Sequence, residues 1–481
     1  MRIRGIPGIL PLASGAKQDG ALLPRDFIGV LLDFRCFAAP VFVSGAAAFD
    51  DNPQAPGDPL STSPSSSRPK HDPTLSRELV AALPKSDLHV HLDGSLRLET
   101  LIELARERKV KLPSTSPSGL KRLVFKQAYE NLPEYLKGFE YTVACLSDPE
   151  ALERAAFELA EDAAAENCCY LELRFAPQLH VRDGFGLGEV MAAVAKGLRR
   201  AERRINSRAK VRKGEMPPLR SGIIVCAMRF FNEHFSEHYR AYFRALPLTG
   251  DEEIFSLASQ ELAKATVQAR DQGLPIVGID LAGQERGYPA ESHAPAYQIA
   301  HRAFLGKTVH AGEDYGPESI FQAITHCHAD RIGHGTWLFS GRRIQDPSIR
   351  DKQGYIDALA RYVADRRITL EVCLTSNQQT LPEFREDLRK HPYAKMRKAR
   401  LSTTFCTDNR LVSNTTVSDE IWKAVTVFGL QPRELKNQLV YGFKRSFFPG
   451  PYLEKRAYVR QVIDRIDAVM AEFGVSTDHP V

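Results

Sequence analysis

Apolar residues follow two different periods along the chain from Pro84 onward. Short runs rich in β-branched residues alternate with longer segments in which apolar residues recur at helical spacing, such as 98–108, 151–166 and 355–365. Eight short runs are predicted strands: 86–92, 169–176, 221–228, 275–281, 306–310, 330–333, 368–374 and 401–407. Because strands that alternate with helices form parallel sheets, the pattern predicts an α/β protein with a (β/α)8 TIM-type barrel.

The helical stretch 119–166 is longer than a single crossover between two strands requires. We expect it to form a helical cap over the C-terminal face of the barrel. Barrels of this kind carry their chemistry at that face, and a cap there excludes water from the site.

The N-terminal part of the chain has a different composition. Six prolines stand among serines and aspartates between residues 50 and 73, a stretch too polar to order itself. Residues 1–75 are therefore predicted to be a disordered or poorly ordered extension and linker, and residues 76–481 the barrel domain. The apolar run 27–49 is interrupted by Asp33 and Arg35 and begins far from Met1, which argues against a signal peptide or a membrane span. Secretion is the alternative that this run leaves open.

Charge and cysteine content narrow the class of protein. The 64 basic and 59 acidic residues give a net charge of +5, too near balance to indicate a nucleic-acid partner. The eight cysteines include no Cys-x-x-Cys pair, so they do not form an evident disulfide framework. Reduced thiols fit a cytoplasmic protein, and no membrane partner is expected.

Two alternating histidines, His89 and His91, begin the candidate chemistry. Residues two apart on a strand share a face, so both imidazoles can converge on one ion. Three further strands end near His310, His334 and Asp408. In a parallel barrel these ends meet at one face, and together the residues predict a catalytic zinc centre.

Each of these residues also has a structural interpretation. A buried histidine such as His310 is commonly a hydrogen-bonded core residue, and an isolated aspartate such as Asp408 commonly caps a helix. The sequence His234-x-x-Glu237-His238 matches a zinc-peptidase pattern, but a solvated helix face explains it equally well. The case for a metal centre therefore depends on the segments taken together.

Several motifs occur in a fixed order between about residue 83 and residue 473. They are Leu83-Pro84-Lys85 followed by His-x-His-Leu-Asp-Gly, Asp280-Leu281-Ala282-Gly283, His310-Ala311-Gly312-Glu313, Arg331-Ile332-Gly333-His334-Gly335, Glu371-Val372-Cys373-Leu374-Thr375-Ser376-Asn377 and Thr407-Asp408. In these motifs the chain resembles the adenosine deaminase family of metal-dependent amidohydrolases. The resemblance implies a zinc-dependent barrel that hydrolyses the 6-amino group of a purine nucleoside, and it does not extend to the first eighty residues.

The resemblance also implies roles for individual residues. It makes His89, His91, His310 and Asp408 the ligands of one Zn²⁺ per chain, with a water completing the shell. Zinc lowers the pKa of such a water to near neutrality.

The other implied roles concern the substrate. Glu313 would protonate purine N1 so that C6 becomes electrophilic, and His334 would orient the water and help to deprotonate it. Asp93 resembles the contact to a ribose hydroxyl, and Gly283 the backbone contact to the purine.

Position 409 departs from the family pattern, which commonly has a second aspartate that contacts purine N7. An Asn409 amide can donate to N7 in its ordinary state, so the sequence predicts that this substrate contact survives. The predicted function is deamination of adenosine, 2'-deoxyadenosine or a related adenine nucleoside. The alternatives are an amidohydrolase acting on another amine or amide, and a binding or signalling protein with little catalysis. The sequence does not determine the oligomeric state.

Overall fold

Eight parallel strands pair with their neighbours in chain order in the computed structural model, which describes Asp72 and residues 74–477. The strands are β1 (Lys85–His91), β2 (Cys168–Phe175), β3 (Arg220–Met228), β4 (Ile276–Ala282), β5 (Gly306–Ala311), β6 (Arg331–His334), β7 (Thr369–Val372) and β8 (Thr403–Phe405). Each observed strand overlaps one predicted run. The core strands are buried on both faces, as expected for a parallel sheet covered by helices.

The sheet closes between its first and last strands. The Asp408 N–H donates to the His89 carbonyl (2.8 Å), and the His91 N–H donates to the Asp408 carbonyl (2.7 Å). These bonds form a parallel bridge between Val90 and Asp408, just beyond β8. The predicted (β/α)8 barrel is confirmed.

Helices connect the strands and cover the barrel. The α-helices are α1 (Arg77–Ala82), α2 (Leu98–Glu107), α3 (Pro117–Leu123), α4 (Leu132–Leu136), α5 (Gly138–Cys145), α6 (Pro149–Ala165), α7 (Leu187–Asn206), α8 (Ala209–Arg212), α9 (Glu237–Ala245), α10 (Asp251–Asp271), α11 (Ala294–Arg302), α12 (Pro317–Thr325), α13 (Lys352–Asp365), α14 (Leu374–Thr380), α15 (Pro382–Glu386), α16 (Tyr393–Lys398), α17 (Val417–Phe428), α18 (Pro432–Arg445) and α19 (Tyr452–Glu472).

Local sequence explains where the helices begin. Helix α6 starts after Asp148, whose side chain accepts the Ala151 N–H, with Pro149 in the first turn. Helix α17 starts in the same way after Thr416 and ends at Gly429 in the left-handed region (φ 62°). Because Thr416 caps α17, Asp408 is not the cap of that helix.

The cap is shorter than the sequence predicted. Helices α3 to α5 and their connections lie on the loops that follow β7 and β8. The Tyr129 N–H donates to the Gln379 carbonyl, and the Tyr129 hydroxyl donates to the Val412 carbonyl. Helix α6, which the predicted cap segment 119–166 included, instead packs on β2 and α7 as the crossover helix. Its buried alanine-rich face explains the difference, because that face fits against the barrel wall.

Four other expectations concern the rest of the chain. The predicted disordered extension over residues 1–75 lies almost wholly outside the described residues. The seven cysteines in the described part of the chain are free and buried. No helix among the described residues combines the length and apolar character needed to cross a membrane. Ser236 caps α9, so His234 precedes the helix and cannot share a helical face with His238.

Candidate metal and catalytic site

Five side chains from the ends of four strands converge at the C-terminal face of the barrel. His89, His310, His334 and Asp408 can each offer one ligand atom, and these four atoms all lie within 4.8 Å of one another. His91 joins them, with its Nε2 3.2 Å from His310 Nε2 and 3.6 Å from Asp408 Oδ1. The sequence-predicted metal ligands and His334 are therefore brought together.

The geometry of the cluster suits a tetrahedral ion. Two nitrogen ligands at zinc bond lengths are separated by about 3.3 Å. The His91–His310 separation of 3.2 Å matches that value. Two imidazole nitrogens that face each other in this way repel unless a cation or a proton lies between them. The buried Nε2 of His89 also lacks a hydrogen-bond partner among the described residues, so the donor set fits a metal ion.

Two buried carboxylates orient the histidines from below. His89 Nδ1–H donates to Glu371 Oε2 (2.8 Å), which leaves the Nε2 lone pair directed at the cluster. His310 Nδ1 lies 3.0 Å from Asp280 Oδ2. Metal-binding histidines commonly have carboxylate partners of this kind. His91 has a weaker arrangement, with its Nδ1 3.9 Å from Asp93 Oδ1.

Arg174 joins these two carboxylates. Its guanidinium donates to Asp280 Oδ2 (2.9 Å) and to Glu371 Oε2 (2.9 Å), and all three side chains are fully buried. Arg331 gives Glu371 a second cationic partner at 2.6 Å, whereas Arg174 is the one arginine among the described residues that contacts Asp280. Burial disfavours the charged carboxylates, but the arginines and the histidines hold the pKa of both Asp280 and Glu371 below the ordinary value.

A hydrogen-bond chain fixes the tautomer of His334. The Tyr393 N–H donates to His391 Nδ1 (3.2 Å), so the His391 proton lies on Nε2 and is donated to Asn377 Oδ1 (3.1 Å). Thr336 also donates to this oxygen, which directs the Asn377 amide nitrogen at His334 Nδ1 (3.3 Å). Burial lowers the pKa of His334 well below 6.5, so the ring is neutral near pH 7 and carries its proton on Nε2.

The loop that follows β5 holds the predicted acid, Glu313. The carboxylate of Glu285 accepts the backbone N–H groups of four consecutive residues, 312 to 315, at 2.6 to 3.1 Å. The Trp337 indole N–H donates to the Glu313 carbonyl (2.7 Å). Glu313 Oε1 then lies 3.6 Å from His334 Nε2, at the edge of the metal cluster.

Burial separates the protonation states of the carboxyl groups. Burial, together with the negative charges of Asp408 and Glu285, raises the pKa of Glu313 well above its usual range. Burial acts on Asp408 in the same direction, but the nearby imidazoles of His89, His334 and His91 hold the pKa of Asp408 far below its usual range. A carboxyl group with a raised pKa beside an ionised candidate ligand is an arrangement that suits acid catalysis at a metal site.

Backbone strain accompanies two of these residues. His334 (φ 64°) and Asp408 (φ 60°) both adopt the left-handed region. Residues other than glycine adopt this region infrequently, at a cost of order 1 kcal/mol or more, and such residues cluster at functional sites. The strain at these two strand ends directs the side chains toward the cluster.

The predicted substrate residues lie around the same face. Asp93 is buried, its Oδ1 has no hydrogen-bond partner among the described residues, and burial raises the pKa of its carboxyl to about 7. Gly283 (φ 98°) ends β4 where a side chain would contact Met228. Asn409 donates from Nδ2 to Asp408 Oδ1 (2.7 Å) and to the Tyr135 hydroxyl (2.8 Å).

Comparison with known proteins identifies the family. The family model of adenosine deaminase matches residues 84–468. The chain belongs to the adenosine deaminase family.

Similar proteins cover nearly the whole of this adenosine deaminase family domain. The adenosine deaminase of Mycobacterium sp. (strain JLS) is 35% identical over 400 residues, 82% of this chain and 99% of that protein. Among solved structures, the N6-mAMP deaminase MAPDA of Arabidopsis is 27% identical with a TM-score of 0.60, covering 80% of this chain and 99% of its own. A zinc-bound amidohydrolase from Burkholderia ambifaria shares the fold at 20% identity and a TM-score of 0.65, covering 85% and 98%. Family and fold make the protein a hydrolytic deaminase with a buried His/Asp metal site.

Sequence reasoning quoted Asp280 and Glu371 within the family motifs but gave them no role, and it did not single out Arg174. Arg174, Asp280 and Glu371 lie within predicted apolar strands, and a charged residue at a buried strand position is the signal that could have indicated them. Glu285 and Tyr135 carry no comparable local signal, because their contacts depend on how distant loops pack.

Proposed function

We propose that this protein is a zinc-dependent adenosine deaminase that converts adenosine or 2'-deoxyadenosine to the inosine-type product and ammonia. The observation that carries the proposal is the position of Glu313. Its buried carboxyl, whose pKa is raised, lies beside His334 at the edge of a cluster of His and Asp side chains that could hold a metal ion. The family supports deamination, and the mycobacterial relative supports adenosine as the substrate.

We assign His89, His91, His310 and Asp408 as the ligands of one zinc ion. Imidazole and carboxylate donors at tetrahedral spacing suit zinc, which when bound lowers the pKa of a water to near neutrality. His334 is left out of this set because the Asn377 amide occupies its Nδ1 and places the ring proton on Nε2. A protonated nitrogen donates and cannot ligate.

The protein side chains then divide the proton transfers. Glu313 donates its proton to purine N1, which makes C6 electrophilic toward water. Attack of water on C6 forms the C6–O bond, and the water gives up two protons in the reaction. One proton goes to the amino group, which leaves as ammonia when the C6–N bond breaks, and the other returns Glu313 to its protonated form. The His334 Nε2–H orients the attacking oxygen and donates to the charge that develops on it. In this tautomer His334 cannot itself remove the water proton, which refines the role expected from the sequence.

Two residues are assigned to the nucleoside. The Oδ1 of Asp93, which accepts no hydrogen bond from the described residues, is an acceptor that suits a ribose hydroxyl. The backbone of Gly283 can approach the purine because this residue has no side chain and adopts φ 98°.

A nucleotide is the second candidate substrate. The Arabidopsis structure that shares the fold is named as an N6-mAMP deaminase, and it is 27% identical to this chain. The same catalytic groups would release methylamine from an N6-methylated purine. The 5'-phosphate therefore has to be tested as a variable.

The test follows purine absorbance with adenosine, 2'-deoxyadenosine, AMP and N6-methyl-AMP, using zinc-loaded wild type and Glu313→Gln. Glu313→Gln keeps the shape of the side chain and removes its proton, so turnover should fall by at least 100-fold. Turnover of the phosphorylated substrates alone would replace adenosine with a nucleotide. No turnover of any purine by zinc-loaded protein would favour another amidohydrolase substrate or a binding role.

A further inference from the structure

Both hydrogens of the Asn409 amide nitrogen are donated to other side chains of the protein. One hydrogen of Nδ2 is donated to Asp408 Oδ1 (2.7 Å) and the other to the Tyr135 hydroxyl (2.8 Å). The reverse orientation of the amide is excluded, since it would place Asn409 Oδ1 against the ionised Asp408 carboxylate. An amide with both hydrogens in use has none left for purine N7.

Asp408 Oδ1 is the oxygen that faces the cluster, since it lies 3.6 Å from Nε2 of both His89 and His91. The hydrogen bond from Asn409 therefore fixes the ligand oxygen itself. Hydrogen bonds to charged acceptors are the stronger kind, and partners of metal ligands tune the affinity for the metal.

Tyr135 extends this contact into the cap. Its side chain is 1% exposed on α4, and its hydroxyl also bonds Ser413 Oγ (2.8 Å) in the loop after β8. Gly94 leaves room for the amide, because a Cβ at that position would lie 1.8 Å from Asn409 Oδ1. Hydrogen bonds thus connect the cap, the loop after β8 and the Asp408 carboxylate in one continuous hydrogen-bond chain.

We propose that Asn409 is a positioning residue for Asp408, held by Tyr135, and that it does not read purine N7. This role replaces the substrate contact expected from the sequence. It rests on the proposed metal site, and it makes zinc affinity depend on a hydroxyl of the cap.

Tyr129 provides a matched control for Tyr135. Both tyrosines are buried in the cap, their rings contact each other at 5.1 Å, and both hydroxyls bond the loop after β8. The Tyr129 hydroxyl, however, bonds the backbone carbonyls of Val124 and Val412 and does not contact Asn409. Tyr135→Phe and Tyr129→Phe therefore each remove one hydroxyl group, the first from within the proposed hydrogen-bond chain and the second from outside it.

The first experiment measures zinc affinity by competition with a chromogenic chelator. Asn409→Leu should lower the affinity about 10- to 100-fold, and Tyr135→Phe should lower it by a smaller factor. Tyr129→Phe should leave it at the wild-type value. Equal effects of the two tyrosine variants, or wild-type affinity in Asn409→Leu, would overturn the proposal. Tyr135→Phe keeps the aromatic ring, so it decides the matter if Asn409→Leu does not fold.

The second experiment compares inhibition constants of inosine and 7-deazainosine, which differ at position 7 of the base. Their ratio should be the same in wild type and in Asn409→Leu. A ratio that collapses toward one only in the variant would make Asn409 a base-reading residue. Zinc affinity is measured without a nucleoside. The first experiment therefore still tests the role of Asn409 if the protein does not deaminate adenosine.

Discussion

The carboxylate of Glu285 binds the backbone N–H of Glu313 (2.9 Å) and the N–H groups on either side of it. The buried carboxylate of Glu285 thus holds the loop on which Glu313 lies. Because the two charges are also close, Glu285 contributes to the raised pKa of Glu313. Glu285 therefore holds the loop that carries the proposed catalytic acid and also contributes to the raised pKa of that acid, together with burial and Asp408.

Glu285→Gln should lower kcat on the order of 100-fold, the cost of a misplacement of about 1 Å at a catalytic group. The amide can no longer accept from four donors, so the loop shifts. Glu318→Gln is the control, since Glu318 is also a buried acid that accepts backbone N–H groups, those of Gln345 and Asp346. Equal losses of kcat in both variants would show a general effect on folding instead.

The pH dependence follows from the raised pKa of Glu313. The protonated acid is the active form, so kcat/KM should fall as pH rises through an apparent pKa above the ordinary glutamate value of about 4.3. A raised pKa in the folded state also stabilises the fold below the unfolded pKa, and this contribution is lost as pH rises. Denaturation of Glu313→Gln should therefore show less loss of stability with rising pH than wild type. An alkaline limb with an apparent pKa at the ordinary glutamate value, or one that persists unchanged in the residual activity of Glu313→Gln, would contradict the assignment of Glu313.

Arg174→Met should cost about 3 to 5 kcal/mol, because it leaves buried carboxylates with less compensation. The substitution should destabilise the buried charge of Asp280 more than that of Glu371, because Glu371 keeps its hydrogen bond from Arg331. Adding Asp280→Asn to Arg174→Met should therefore recover stability, whereas adding Glu371→Gln should not. Zinc affinity should stay low in both double variants, since each still lacks a carboxylate below a ligand histidine. Urea denaturation and chelator competition measure the two quantities separately.

Asn377→Asp should lower kcat by 100-fold or more with unchanged zinc content. The new carboxylate accepts from His334 Nδ1, which moves the ring proton away from Nε2. Thr336→Val removes only one of the two bonds that orient Asn377 and should have a smaller effect. Nitrogen chemical shifts of labelled histidine report the tautomer directly, and an unchanged tautomer in Asn377→Asp would refute the explanation.

Removal of the metal should lower the melting temperature, because the cluster joins side chains of β1 and β5 to Asp408 after β8. Zinc at 1,000 times its dissociation constant adds about 4.1 kcal/mol to the stability of a protein that binds it only when folded. Asp408→Asn provides the comparison and should melt at similar temperatures with and without chelator. Calorimetry of wild type that shows no change on chelation would contradict a metal within the closed barrel.

Periodicity was enough to predict the barrel, because eight strand-and-helix units leave few other arrangements. Periodicity did not predict where the cap ends, because α6 has the same helical pattern as its neighbours but packs against the barrel wall. The candidate ligands were predictable because strand ends share one face of a barrel. The contacts of Asn377 and Asn409 were not, since which amide hydrogen meets which acceptor depends on loop packing that no local pattern encodes.

Barrel closure has a consequence for how the chain is made. Asp87 and Thr407, whose side chains hydrogen-bond at 2.6 Å across the closing strands, are 320 positions apart. A nascent chain on the ribosome exposes the free edge of β1 until β8 has emerged, and Asp408 emerges with it. The proposed ligand set is complete only when the barrel closes, so we expect a product truncated before β8 to lack the full set of ligands and to aggregate through its open edges. Completion of the fold and assembly of the proposed site would then coincide during synthesis of the chain.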